Sequence, residues 1–131
     1  MIAILIDANL TGQAPRLWGT LEASGWLELV AIEFVTFPSV ALPFATNDRL
    51  VWRFAQERQQ ILLTDNRNMS GLNSLERTLR EELLPTSLPV LTISQRKRLA
   101  EREYRERCVE RLIAIILNLD NLRGTPRLYL P

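Results

Sequence analysis

Three aspartates stand at positions in the sequence where they could bind a divalent cation. Asp7 follows the apolar run Ile2–Ile6, and Asp65 follows the similar run Gln60–Thr64. Asp48 opens a segment of helical spacing that lies between them. Carboxylate oxygens are ligands that Mg²⁺ and Mn²⁺ prefer, and such an ion can activate water and neutralise charge on a phosphate. The three aspartates are therefore the candidate metal ligands and catalytic residues.

Polar residues beside these aspartates are candidates for substrate binding. Asn9 and Thr64 offer amide and hydroxyl oxygens, and Asn68 offers a second amide after the later run. Arg67, in the same loop, is a cation that could hold a phosphate. The same residue types also build turns and cap helices, so a purely structural role for residues 7–9 and 66–68 stays open.

The elements that must position these residues alternate between strands and helices. Short continuous apolar runs predict strands that are buried on both faces, as in a parallel sheet. In open α/β sheets, ligands bind at the carboxyl edge of the strands. The predicted strands cover residues 2–6, 29–37, 60–64, 89–94 and 127–130. The predicted helices cover residues 14–24, a segment that begins after Asn47, a segment from 74 to about 84, and one long helix at 95–119.

This alternation predicts a three-layer α/β/α sandwich with a mainly parallel sheet of four or five strands. The 131 residues are expected to form a single domain, large enough for a hydrophobic core. We expect the strands at 2–6 and 60–64 to lie side by side near the middle of the sheet. That arrangement would allow Asp7 and Asp65 to approach each other.

The composition excludes several kinds of site. The chain has no histidine, which excludes a Ser-His-Asp triad, a Cys-His pair and every His-ligated metal. Cys108 is the single cysteine, so an internal disulfide and a CxxC-type zinc site are excluded as well. The sequence contains no transmembrane run, and no basic region precedes its first apolar stretch. We therefore expect a soluble, cytoplasmic protein.

The charge pattern gives little general attraction for nucleic acid. The net charge is +1, so binding to phosphates would depend on a local basic patch. Arginines and a lysine are concentrated at residues 96–107, but glutamates alternate with them. Such alternation is typical of a solvated helix face with salt bridges. Contact with RNA is the less favoured interpretation of this segment.

Taken together, three motifs resemble those of the PIN-like domains, in particular the short DUF5615-type proteins related to toxin–antitoxin ribonucleases. The motifs are Ile-Asp-Ala-Asn-Leu at 6–10, Asn-Asp at 47–48 and Leu-Leu-Thr-Asp-Asn-Arg-Asn at 62–68, and the resemblance covers roughly the first 80 residues. The resemblance implies a ribonuclease that depends on Mg²⁺ or Mn²⁺ and acts on single-stranded RNA. It also implies a small antitoxin-like partner protein and leaves a homodimer open.

The sequence departs from the pattern of that subgroup at several positions. Ala8 stands where the subgroup has glutamate, and Asn66 and Asn68 stand at two of its aspartate positions. Asp65 lies one place earlier than the family's acid, and Glu76 is a candidate replacement for a missing carboxylate. The alternative function is therefore a PIN-like scaffold without catalysis that acts as a protein-interaction module.

Overall fold

The elements of the fold are taken from a computed structural model, which describes residues 1–67 and 70–131. In these residues the strands are β1 (Ile2–Ile6), β2 (Ile32–Thr36), β3 (Ile61–Thr64), β4 (Val90–Ile93) and β5 (Arg127–Leu130). The α-helices are α1 (Ala14–Ala23), α2 (Trp26–Leu29), α3 (Asp48–Glu57), α4 (Leu75–Glu82), α5 (Arg102–Leu117) and α6 (Leu119–Leu122). Short 3-10 helices lie at Ala8–Leu10, Pro38–Val40 and Arg96–Ala100. None of the helices in the described ranges is long and apolar enough to span a bilayer.

The five strands form one sheet in the order β2-β1-β3-β4-β5, and every neighbouring pair is parallel. β1 lies beside β3, with Ile4 opposite Ile61 and Ile6 opposite Leu63. The predicted parallel sheet and the predicted adjacency of these two strands are therefore confirmed. Because parallel strands end at the same edge, the residues that follow β1 and β3 are brought to one side of the molecule.

Helices cover both faces of this sheet. Ile4 and Ile6 point into a core packed against α1 and α5, whereas Leu5 points into a second core formed with α3 and α4. This division follows from the alternation of side chains along a strand. The chain is thus a three-layer α/β/α sandwich, as the sequence predicts. Full burial of each such aliphatic side chain contributes about 1.5–3 kcal/mol to folding.

Side-chain caps fix where the two helices nearest the sheet edge begin. The side chain of Asn47 accepts a hydrogen bond of 3.0 Å from the backbone N–H of Leu50 at the start of α3. Ser74 does the same for Arg77 at the start of α4, with a distance of 3.2 Å. Such caps are worth about 1 kcal/mol each. They place Asp48 in the first turn of α3.

The predicted strand at 29–37 is shorter in the structure, and a helical turn precedes it. Gly25 adopts a left-handed conformation with φ of 78° at the end of α1, and the chain then turns into α2. The turn allows Trp26, Leu27 and Val30 to pack against the first core. The strand therefore begins at Ile32, three residues later than predicted, and ends at Thr36, one residue earlier.

The predicted single helix at 95–119 is wrong, because the chain leaves the helical conformation at Glu101 (φ −91°, ψ 126°). Leu99 and Tyr104 are both fully buried, but in a continuous helix they would point about 140° apart. The break allows both side chains to face the core. It is held by Arg105, which donates to the carbonyl of Leu99 (2.8 Å), and by Gln95, whose backbone N–H donates to the hydroxyl of Tyr104 (3.0 Å).

A network of arginines and glutamates joins α3 to α4. Arg49 donates to Glu82 and, at 2.5 Å, to Glu81. Arg53 donates to Glu82 through two nitrogens, at 2.7 and 2.8 Å. Arg49 also donates to the backbone carbonyl of Leu72, at 2.9 Å. The network therefore holds the loop before α4 against the first turn of α3.

We expect Glu82→Gln to lower the melting temperature at neutral pH and to have no effect in strong acid. Hydrogen bonds from Arg53 and Arg49 hold the pKa of Glu82 below its usual value. A lowered folded-state pKa stabilises the fold above the unfolded pKa, and this contribution is lost as the pH falls through the folded-state pKa. Thermal melts from pH 7 down to a pH below the folded-state pKa of Glu82 test this, with Glu110→Gln on the exposed face of α5 as the control. Equal effects of both substitutions at every pH would contradict the prediction.

Candidate functional site

The carboxyl ends of β1 and β3 border a small polar cleft. The backbone N–H of Asp7, directly after β1, donates to the carbonyl of Leu63 at 2.9 Å, which continues the pairing of the two strands. The cleft has a volume of about 120 Å³. Its lining includes Asp7, Asn9, Phe44, Asp48, Thr64 and Asn66.

The carboxylate of Asp7 is held by a hydrogen bond from the end of β3. The hydroxyl of Thr64 donates to Oδ2 of Asp7 at 2.5 Å. Thr64 Oγ1 accepts in turn from the backbone N–H of Asn66, at 2.9 Å. Thr64, which is almost fully buried, therefore links the strand end to both the acid and the following loop.

The pKa of Asp7 is raised above its ordinary value. Burial is the main cause, and the negative charges of Asp65 and Asp48 raise the pKa further, whereas the hydrogen bond from Thr64 and the backbone amide of Asn9 lower it. The folded protein thus disfavours the ionised form of this carboxyl group. A cation bound in the cleft would offset both the loss of hydration and the repulsion.

Asp48 reaches the same cleft from the first turn of α3. Its Oδ2 accepts from the side-chain amide of Asn66 at 2.8 Å and from the backbone N–H of Leu75 at 3.2 Å. Asp48 thereby connects the loop after β3 with the start of α4. It lines the cleft together with Asp7, as the sequence predicts for a shared site.

Asp65 lies at the same edge but does not line the cleft. Its carboxylate is 3.6 Å from Nε of Arg96, whose Nη2 donates to the backbone carbonyl of Asn9 at 3.0 Å. Across residues 1–67 and 70–131, no three or more cysteine, aspartate or glutamate side chains are grouped so that they could hold a metal ion. Of the three predicted ligands, the structure brings Asp7 and Asp48 into one cleft and leaves Asp65 paired with an arginine.

The other predicted residues lie around this edge. Arg67 is exposed, and its Nη2 donates to the carbonyl of Ser94 at 2.6 Å, just beyond the end of β4. Asn68 lies outside the residues that the structure describes. Glu76 does not line the cleft and is 3.5 Å from a guanidinium nitrogen of Arg127.

Two residues near the site carry no clear signal in the sequence. Arg127 is buried, and its Nη1 donates to the carbonyl of Asn66 at 2.7 Å and to the hydroxyl of Thr92 at 2.6 Å. Arg127 is the charged residue in the otherwise uncharged run that forms β5, and this was the available signal that its side chain has a specific partner. Phe44, in the loop before α3, lies at the cleft with 73% of its surface exposed.

Comparison with known protein families, curated proteins and solved structures finds no match for this chain. Membership of the PIN-like family therefore stays a prediction from the three sequence motifs.

We expect Asp7→Asn to leave the metal-free protein as stable as the wild type, or to make it more stable, at neutral pH. The substitution removes a partly buried charge that neighbouring carboxylates repel. Because the folded-state pKa is raised, the advantage of the variant should grow as the pH rises through the folded-state pKa and vanish below the unfolded pKa. Thermal melts in EDTA across this range test the prediction. A loss of about 1 kcal/mol at neutral pH would instead identify Asp7 as a structural hydrogen-bond acceptor.

We expect Arg127→Gln to destabilise the protein by about 1–3 kcal/mol, because it removes the hydrogen bonds that this buried guanidinium donates to the carbonyl of Asn66 and to the hydroxyl of Thr92. Chemical denaturation measures the loss. Arg111→Gln, at an exposed position of α5, is the matched control and should change little. If both variants were equally stable, Arg127 would not support the loop after β3.

Proposed function

We propose that this chain is a metal-dependent ribonuclease of PIN-like type that acts on single-stranded RNA. The proposal depends on one observation above all. Asp7 and Asp48 line a single polar cleft at the carboxyl edge of a parallel sheet, the place where open α/β folds bind ligands. The three sequence motifs add support, because two of them supply these carboxylates.

The donors in the cleft fit Mg²⁺ or Mn²⁺. Mg²⁺ usually retains several waters and is bound by one or two carboxylates together with phosphate oxygens of the substrate. Asp7 and Asp48 supply two carboxylates, and the polar part of the lining contributes only oxygen and amide groups. The raised pKa of Asp7 supports the same interpretation, because burial and like charge both disfavour an uncompensated carboxylate there.

The residues of the cleft have distinct roles in this proposal. Asp7 and Asp48 bind the cation, and Thr64 and Asn66 orient them through hydrogen bonds to one oxygen of each carboxylate. When bound, the cation supplies charge neutralisation at the scissile phosphate and an activated water as nucleophile. Arg67 contacts the phosphate from the next loop. In the proposal Asn9 and Asn68 also contact the substrate.

The proposed activity is low. Asp65, which the sequence suggests as a third ligand, is held beside Arg96 and contributes to the cleft through its charge at a distance. Asn66 stands where the family pattern has an acid, and its amide donates to Asp48. With two carboxylates instead of three, we expect weak metal binding and slow turnover.

The same two contacts favour a second candidate, a PIN-like scaffold that has lost catalysis and binds a partner protein. The Asn66–Asp48 hydrogen bond and the Asp65–Arg96 pair satisfy acidic groups within the chain. In this case Asp48 serves to join α3 to α4. A small antitoxin-like protein or a second copy of the chain would be the partner.

Millimolar Mn²⁺ should raise the melting temperature of the wild type and have less effect on Asp7→Asn and Asp48→Asn. A ligand that binds only the folded state stabilises it by mass action, by about 1.4 kcal/mol at ten times its Kd. Asp120→Asn is the matched control, because the Asp120 side chain is 99% exposed and does not line the cleft. Its shift should equal that of the wild type.

Hydrolysis of a fluorescent single-stranded RNA decides between the two candidate functions. The ribonuclease requires Mn²⁺-dependent cleavage that falls about a hundredfold or more in Asp7→Asn and Asp48→Asn. Asp120→Asn should cleave at the wild-type rate. A wild-type protein with neither a Mn²⁺-induced shift nor cleavage would exclude the ribonuclease and leave the scaffold.

A further inference from the structure

Phe44 is an exposed aromatic residue at the rim of the acidic cleft. Its surface is 73% accessible, although it lines the same cleft as Asp7 and Asp48. By contrast, Phe37, from the start of the same loop, is buried in the second core. The loop therefore buries one ring and leaves the other beside the polar groups of the cleft.

Hydrogen bonds within the loop hold Phe44 in this position. The backbone N–H and the hydroxyl of Thr46 both donate to the carbonyl of Pro43, at 3.1 and 2.6 Å. The backbone N–H of Leu42 donates to the carbonyl of Phe37 at 2.9 Å. Phe44 thus lies in a turn whose backbone is fixed by hydrogen bonds both before and after it. A ligand that contacts it would lose little of its binding free energy in ordering the loop.

Cationic side chains lie on the other side of the cleft. The loop that carries Phe44 follows β2, Asp7 follows β1, Arg67 follows β3 and Arg96 follows β4. Since the strand order is β2-β1-β3-β4, these residues are arranged along the edge as aromatic ring, carboxylate and then cations, and Asp65 lies beside Arg96 in the cationic part. Three strand spacings separate β2 from β4, a distance of about 14 Å.

We infer that Phe44 is a stacking platform for an unpaired base of a single-stranded nucleic acid that crosses this edge, with phosphates towards Arg67 and Arg96. Proteins bind single strands through aromatic rings that stack on bases and cationic grooves that follow the backbone. A duplex keeps its bases stacked inside, so a protruding ring selects an unpaired base. The inference rests on the proposed function, since it places the substrate of that same cleft.

The test is the binding of a fluorescent oligouridylate, followed by anisotropy in EDTA and again in Ca²⁺. Phe44→Ala should weaken binding about tenfold, which is within the range for the loss of one base stack. Phe44→Leu should weaken it as much, because leucine keeps the apolar contact but lacks the ring. Phe44→Trp should bind as tightly as the wild type or more tightly. Leu117→Ala, at a similarly exposed apolar residue at the end of α5, should have no effect.

An abasic oligonucleotide of the same length isolates the contribution of the base. It should bind the wild type more weakly, and Phe44→Ala should no longer weaken binding to it. A deoxy oligonucleotide of the same sequence tests whether the sugar contributes. If Phe44 contacts only the base, Phe44→Ala should weaken the binding of the deoxy and the ribo strand by the same factor. If Phe44→Ala weakened binding by the same factor with abasic and normal strands, the inference would be overturned. So would equal binding by Phe44→Leu and the wild type, which would assign the ring to a general apolar contact such as a protein partner.

The outcomes separate this inference from the proposed ribonuclease. Mn²⁺-dependent cleavage that is indifferent to every Phe44 variant would overturn the stacking platform alone. Binding that depends on the Phe44 ring, without any cleavage, would overturn the ribonuclease alone. Absence of oligouridylate binding by the wild type in both EDTA and Ca²⁺ would overturn the platform whether or not the enzyme is active.

Discussion

The parallel pairing of β1 with β3 is the constraint on which the site depends. Ile4 faces Ile61 and Ile6 faces Leu63, and all four side chains are buried in the same core. In this register the backbone N–H of Asp7 donates to the carbonyl of Leu63, which extends the pairing by one residue. The hydroxyl of Thr64 then lies within hydrogen-bond distance of the Asp7 carboxylate. A slip of one residue would reverse the faces of the strand and direct Ile4 and Ile6 into the second core, which is shaped around Leu5. The buried aliphatic contacts therefore fix the position of this polar contact.

The carboxylates near the carboxyl edge of the sheet differ in whether an arginine neutralises their charge. Asp65 has Arg96 beside it, and Glu76 has Arg127. Asp7, in contrast, accepts a hydrogen bond from the neutral hydroxyl of Thr64, and the two neighbouring aspartates act against its ionisation. Asp48 likewise accepts from neutral groups, the amide of Asn66 and the backbone N–H of Leu75. Structural carboxylates at folded edges are usually paired, because an uncompensated buried charge is costly. The neutral partners of Asp7 and Asp48 therefore favour a cation site over a well-packed turn.

The supports of the cleft come from distant parts of the chain. Asp48 connects α3 to the start of α4, and the Arg49 network holds the same two helices together farther along. Arg127, in the edge strand β5, fixes the loop after β3 by donating to Asn66. The proposed ribonuclease and the proposed scaffold share this framework. They differ in whether the two carboxylates of the cleft bind a cation or serve only to join the elements around them.

The sequence by itself determined the strands, most of the helices and the sheet class, because apolar runs and caps such as Asn47 are local signals. It also indicated that Asp7 and Asp48 would share an edge. Only the tertiary structure decided that Asp65 pairs with Arg96, that Arg127 supports the loop after β3 and that the chain breaks at Glu101. These outcomes depend on contacts between residues far apart in sequence and on which side chains the core can bury. Local patterns carry no information about such contacts, since the partners meet only after the sheet has formed.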